Sequence, residues 1–461
     1  MKKANFRVAP LFFLILFVFL SKPAFPATAF SSNPQVKHIV TLKEAYRLAA
    51  LKNGTIKATK EIYYQSTLLK WSAISMYLPD INFRYADQRF HANIPPTPPA
   101  YQSPSTNYLE GQLFTFFYPN YEYSFTLNQP LLDLSVIPAY NAARNSALSE
   151  KSNLNGVSAD TLYNVAVSYY MVLNDESLIK ADKKTYEEAK AHLELTRAKL
   201  RAGLAIITDI LQAKSQYYSA KQGLISGKNS LKTSKARLAS LMGIDYDFSV
   251  VSPPEPFLAK KSLKNYIAEA YRNNPGLKAL NYSLETARNE TGYYESQYIP
   301  KINFQASFNE MSNTHFIPAG SPNYWTAGAY LTMPLFQGGT RIISIEKARS
   351  ESNEALYNMV QSRRDLRAQV ISDFYNVKNL REEVVTLKYE ESFASKNYSL
   401  VEEEYKAGVA TSVDVITALA NLVRARHMLL SAKRRYYDAI LNLKRLTGTF
   451  QNRLISVSVV N

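Results

Sequence analysis

Hydrophobic residues recur with a helical period over Thr41–Asn53 and again over about 56–78. Thr41 followed three residues later by Glu44 predicts a capping box, and Asn53-Gly54 predicts the end of the first helix. Pro79 stops the second. The period then falls from 3.6 to 2. Ile81, Phe83 and Tyr85 alternate with Asn82 and Arg84. Over 121–128, Tyr121, Tyr123, Phe125 and Leu127 share one face, and Glu122, Ser124, Thr126 and Asn128 share the other. Similar alternations at 302–308 and 325–333 make two pairs of strands, each strand about ten residues long. The stretches between paired strands, about 91–118 and 312–322, are rich in turn residues and predict loops.

After each strand pair the chain loses its prolines. None occurs from 139 to 252 or from 335 to the end. These regions are rich in Ala, Leu, Lys, Glu and Arg, which predicts very long helices. A helix over about 138–201 would be about 95 Å long. Helices of that length need mutual support, as in a coiled coil. Each long run stops at a glycine, Gly203 or Gly408, and a return helix follows over about 205–242 or 410–447. Thr208/Asp209 and Ser412/Asp414 stand where a first helical turn favours oxygen side chains. Each stretch therefore reads as the tip of a helical hairpin.

The same series occurs twice. Leu42 and Leu263, Asn53 and Asn274, and Pro79 and Pro300 are each 221 residues apart. Pro79-Asp-Ile-Asn-Phe83 matches Pro300-Lys-Ile-Asn-Phe304, and Gly203 and Gly243 match Gly408 and Gly448. We expect one pseudo-symmetric body over 30–461, built from repeat 1 (about 41–250) and repeat 2 (about 262–450). Ahead of it, Lys2, Lys3 and Arg7, the apolar run Leu11–Leu20 and Ala27-Thr-Ala29 predict a cleaved signal peptide over 1–29.

Export changes the meaning of the strands. About ten residues is the length of a tilted membrane-spanning strand. An open sheet of four such strands cannot sit in lipid, because its edge N–H and C=O groups would be unsatisfied. Four are also too few for one chain to close a barrel. The pattern thus predicts an oligomer without fixing its number. The alternative is a periplasmic structural coiled coil with a soluble sheet and no channel.

Composition removes most other chemistry. There are no cysteines, hence no disulfides and no thiolate sites. The net charge is +16, or about +12 once the four basic residues of 1–29 are removed. The basic residues are spread along helices, which argues against nucleic-acid binding. The five histidines are isolated, with no metal-ligand spacing. Gly223-Leu-Ile-Ser-Gly-Lys228 is too short for a phosphate loop and lies inside a helical run. We expect neither enzyme activity nor a cofactor.

The paired openings, the paired Pro-x-Ile-Asn-Phe segments and the paired tips Arg-Ala-Gly-Leu-Ala…Asp-Ile and Lys-Ala-Gly-Val-Ala…Asp-Val resemble the TolC-like outer-membrane efflux and secretion channels. The resemblance covers nearly the whole mature chain. It implies a mainly α fold with a transmembrane β part: internally duplicated long helical hairpins plus four strands per chain, trimerised into an α/β-barrel tube. The implied function is a passive exit duct of a tripartite efflux or type I secretion system. Its partners would be two further copies, outer-membrane lipid, a periplasmic adaptor and an inner-membrane pump of RND or ABC type. Asp414 falls on the position of an acidic selectivity ring. Thr208, Asp209 and Tyr405 fall on a hydrogen-bonded gate network. Gly203, Leu204, Ala205, Gly408, Val409 and Ala410 fall on adaptor-docking tips. Two positions depart from the family pattern. Ala410 stands in place of a gating Arg, and Thr417 in place of a second acidic ring, which implies a singly ringed, looser gate.

Overall fold

The computed structural model describes residues 38–94, 114–245, 247–312 and 323–449. The expected signal peptide, 1–29, lies outside them. A short strand β1 (His38–Val40) leads into α1 (Leu42–Lys52) and α2 (Gly54–Ser75). Strands β2 (Asp80–Ile94) and β3 (Phe114–Leu132) precede the 66-residue helix α3 (Val136–Arg201) and its return α4 (Ile207–Met242). After β4 (Phe248–Val250) the order recurs: α5 (Leu263–Asn273), α6 (Pro275–Ser296), β5 (Lys301–Ser312), β6 (Asn323–Thr332), the 68-residue α7 (Thr340–Ala407) and α8 (Ser412–Leu446).

The first strand pair is longer than its alternation suggested. Residues 91–94 and 114–118 are strand, not loop, which fits the aromatic and β-branched content of Phe114–Tyr118. The remainder of that expected loop, 95–113, and 313–322 of the second lie outside the described residues. The sheet is antiparallel throughout, in the order β2-β3-β5-β6. Its register puts Phe83 opposite Phe125, Phe125 opposite Phe308, and Phe308 opposite Trp325. Because side chains alternate along a strand, this single alignment gathers the apolar set of all four strands on one face. The other face carries Asn82, Ser124, Thr126, Gln305 and the hydrogen-bonded pair Ser307–Thr326 (2.8 Å). Among the described residues, strands β2 and β6 are open edges.

Below the sheet the helices form one layer. In its upper half α3 packs between α2 and α6, and α6 continues to α7. In its lower half α3 packs between α4 and α8, and α8 continues to α7. The lower order is therefore α4-α3-α8-α7. Each long helix spans both halves and is about 100 Å long.

The halves meet at a waist where return helices end and upper helices begin. The same device occurs twice. Asn53 caps α2 by accepting from the Thr55 and Ile56 N–H groups, while its Nδ2 donates to the Leu241 carbonyl at 3.0 Å. Asn274 caps α6 through Leu277 N–H, and its Nδ2 donates to the Leu446 carbonyl at 3.0 Å. One amide thus satisfies orphan groups at two helix ends. The return helix must come close, and Gly448, with φ 64°, permits it: a Cβ there would lie 2.5 Å from the Asn273 carbonyl oxygen. The waist core holds Tyr169, whose hydroxyl contacts the Val40 carbonyl at 2.9 Å and the Val251 carbonyl at 2.6 Å, tying α3 to β1 and β4. The capping box expected at Thr41 is half formed. Thr41 Oγ1 accepts from Glu44 N–H, but the Glu44 carboxylate turns to Arg47 at 2.7 Å, where a charge-assisted bond wins.

Candidate functional site

The two hairpin tips lie at the end of the layer remote from the sheet. At the α7–α8 tip, which the family resemblance would make the inner one and which is so labelled below, with the α3–α4 tip the outer one, Gly408 adopts φ 85°, which a residue with a Cβ would resist. That turn lets Val409 N–H reach the Glu404 carbonyl at 2.8 Å and closes α7. Gly203 does the same for α3 with φ 72°, and Leu204 N–H reaches the Lys199 carbonyl at 2.8 Å. The side chains that follow point outward: Leu204 is 75% exposed and Val409 80%. Ala205 and Ala410 are half-buried, and Ala410 rests against the apolar cluster behind the inner tip.

Asp414 sits in the first turn of α8. The N-cap is Thr411, and Ser412, the first residue of α8, lies in the same turn, as expected. Thr411 Oγ1 accepts from Asp414 N–H at 3.3 Å, and Asp414 Oδ2 accepts from Thr411 N–H at 2.9 Å and from its hydroxyl at 2.6 Å. These bonds hold the exposed carboxyl below the usual carboxylate range, so it is ionised at neutral pH. On the outer tip Asp209 accepts from Ile206 N–H at 3.1 Å. Here the N-cap is Ile206, which has no side-chain acceptor, and Thr208 and Asp209 lie in the first helical turn, as expected.

The expected gate trio is not joined. Thr208 is exposed, Asp209 serves its own helix end, and Tyr405 is buried (4% exposed) among other partners. The Tyr405 hydroxyl lies 3.1 Å from Thr196 Oγ1, which itself donates to the His192 carbonyl at 2.9 Å. The Tyr405 hydroxyl is therefore the donor and Thr196 the acceptor. Lys199 Nζ donates to the Tyr405 carbonyl and stands 4.2 Å from its ring centroid. His192 packs 5.1 Å from the Tyr405 ring and meets Ser412 Oγ through Nε2 at 3.1 Å. Around this network pack Ala189, Tyr398, Val415, Ala418 and Leu419.

The inner tip is thus tied to α3 by three residues, His192, Thr196 and Lys199, that lie on one stripe of that helix. None was singled out from the sequence as a gate residue. The available signal was polar side chains at i, i+4 and i+7 in a helix whose other stripe positions, Ala189 and Leu193, are apolar. Burial lowers the His192 pKa, with the Glu402 and Asp209 carboxylates opposing the effect, and its Nδ1 has no partner among the described residues. Among those residues no group of His, Cys, Asp or Glu is placed to hold a metal ion, and no helix is long and apolar enough to cross a membrane.

Known proteins share this design. Over 346 residues the chain is 23% identical to the outer membrane protein TolC of Escherichia coli K12, covering 72% of this chain and 70% of that protein. It is 22% identical to the proteases secretion protein PrtF of Dickeya chrysanthemi, covering 73% and 74%. The fold matches the outer membrane protein VceC of Vibrio cholerae with a TM-score of 0.72 at 15% identity, over 88% of this chain and 96% of that one. It matches CusC, a structure described in terms of transmembrane channel formation, with a TM-score of 0.76 at 13% identity, over 93% and 98%. The outer membrane efflux protein model matches residues 99–244 and 266–449, which is most of the chain. The chain belongs to the outer membrane efflux protein family.

Proposed function

We propose that this chain is one protomer of a passive outer-membrane exit duct. The observation that carries the reading is a pair of unfinished surfaces stacked end to end. The sheet gathers its apolar side chains on one face, with Phe83 and Trp325 exposed, and among the described residues its edges at β2 and β6 are open. The helical layer below has exposed apolar side chains on both outer members, among them Leu211, Tyr218 and Ile225 on α4 and Tyr375, Tyr389 and Phe393 on α7. Further copies, set side by side around one axis, complete both surfaces with one operation. The sheet closes into a barrel with no unsatisfied edge in lipid, and the layer closes into a tube. Three copies, the number implied by the sequence resemblance, give twelve strands.

In this reading a leader over 1–29 is removed, and repeats 41–250 and 262–450 build the two halves of each protomer's wall. Gly203, Leu204 and Ala205 with Gly408, Val409 and Ala410 present a small apolar surface suited to a periplasmic adaptor, which joins the duct to an inner-membrane pump of RND or ABC type. Both efflux and type I secretion fit, since a shared conduit need not read its cargo. Asp414, ionised and exposed, rings the inner lip and favours cations there. The latch is revised from Thr208, Asp209 and Tyr405 to Tyr405 with Thr196, His192 with Ser412, and Lys199.

The test is purification from outer-membrane fractions, mass measurement in detergent, and reconstitution into planar bilayers. A three-chain particle that conducts and prefers cations is expected. An exclusively soluble product, or a monomer without conductance, would return the chain to the structural coiled-coil alternative.

A further inference from the structure

The two repeats build one junction inside the chain and leave its pseudo-equivalent open. Inside, the end of α8 meets α3. Arg445 Nη1 donates to Asp160 Oδ1 at 2.9 Å, and its guanidinium stands 5.3 Å from the Tyr163 ring. The open counterpart pairs α7, at one edge of the lower layer, with the end of α4, at the other edge.

Aligning the repeats exposes a reversal of charge. Buried Leu162 and Ala166 of α3 correspond to buried Leu366 and Val370 of α7. That register puts Arg364 where Asp160 stands and Arg367 where Tyr163 stands. On the return helices, Gly243 corresponds to Gly448, with φ 66° and 64°, and Ser240 then replaces Arg445. The acid of the closed junction has become a base, and its base has become a hydroxyl.

Charge stands at both open sides, and that of the α7 side is unpaired. Arg363, Arg364 and Arg367 line a groove of about 480 Å³ with Tyr271, Val360 and Ile371. None of the three forms an ion pair among the described residues, although Arg363 stacks 4.4 Å from the Tyr271 ring. Past the end of α4, Asp245 is exposed and unpartnered among the described residues. The Asp247 side chain is 78% exposed, and its ion partner, Lys235, is at 3.9 Å. The segment is anchored: Ile244 and Phe248 are buried, and β4 pairs with β1.

The heights agree. Met242, Ile244 and Phe248 pack with Leu162–Tyr169 in one core cluster, and Leu441 of α8 joins it. Leu443 and Leu446 of α8 pack with Leu366 and Val370. The ends of α4 and α8 therefore lie level with Arg364 and Arg367, and rotation about a tube axis preserves height.

We propose that Arg364 and Arg367 of one copy receive the Asp245 and Asp247 carboxylates of the neighbouring copy. This clasp rests on the reading of the chain as a side-by-side oligomer. Its reversed polarity also enforces correct pairing. If α8 strayed onto another copy's α7, Arg445 would face Arg364 and Arg367, and like charges would oppose it.

The chain has no cysteines, so site-directed cross-linking is clean. A disulfide needs Cα atoms within about 7 Å, closer than an Arg–Asp pair holds them, so a flexible bismaleimide is the probe. In membranes, the R364C/D247C double variant should give two-chain and three-chain bands, and each single variant should stay at one-chain mass. Separately, R364E/R367E should lower the assembled fraction about tenfold or more, and adding D245K/D247K should restore it to within about twofold of the parent. Absent cross-links in particles that still assemble, or charge reversal without rescue, would overturn the clasp. The second result would fit a groove that binds a small anion. A parent protein that is monomeric in detergent would instead sink the oligomeric reading itself.

Discussion

Tyr405→Phe is the most direct probe of the inner tip. The substitution keeps the ring, its contact with His192 and its place beside Lys199. It removes one hydroxyl, the donor to Thr196. Thr196 keeps its own bond to the His192 carbonyl, so no donor is stranded. The loss is one neutral hydrogen bond, worth about 0.5–1.5 kcal/mol. If opening swings the α7–α8 tip away from α3, water replaces that bond in the open form and only the closed form loses. Each copy then shifts toward opening by about 2- to 13-fold, and three copies moving together by about 1.5–4.5 kcal/mol. Single-channel recording in planar bilayers reads this as open probability. Thr196→Val supplies a double-mutant cycle: the pair should cost less than the sum of the singles. Unchanged gating in Tyr405→Phe, or strictly additive effects, would show that this bond does not hold the tip closed.

Three further outcomes are expected. Burial depresses the His192 pKa, so above about pH 6.5 both folded and unfolded forms are neutral and the full stability is present. As pH falls from there through the folded pKa, the unfolded chain takes the proton first and stability drops; thermal melts should show a slope between pH 7 and 5 that His192→Gln reduces, and an equal slope in the variant would refute the assignment. Asp414→Ala should weaken cation selectivity and block by multivalent cations, read as a shift in reversal potential under a salt gradient. Asn274→Ala removes a helix cap and the donor to Leu446 together, so it should cost at least about 1–2 kcal/mol of stability, and a melting temperature equal to the parent's would contradict the waist description.

The elements were legible because each follows from local rules. Prolines absent over long spans mark α3–α4 and α7–α8, glycines mark their tips, and strict alternation marks the strands. Strand length was not legible in β2 and β3, because 91–94 and 114–118 carry no clean alternation, and pairing with the neighbouring strand decides the extent. The tip chemistry was legible only in part. Asp414 announces itself by its place after a glycine turn. Tyr405 was visible, but its partner was not, since Thr196 lies 209 residues away in sequence and only the packing of α7 on α3 joins them. His192 looked isolated for the same reason, as Ser412 comes to it across 220 residues.

The altered partnership of Tyr405 bears on the missing arginine. With Ala410 at the α7–α8 turn, Asp209 forms no ion pair among the described residues and caps its own helix instead. The cation that ties this tip to α3 is Lys199, one hairpin over. It reaches the last turn of α7 through the Tyr405 carbonyl, where a positive charge is stabilised by the helix C-terminus. The inner tip therefore has a charged tether, but one aimed at backbone and not at a carboxylate. Such a tether fixes the position of α7 without an ion pair to break, so salt should loosen this tip less than one latched by an Arg–Asp pair.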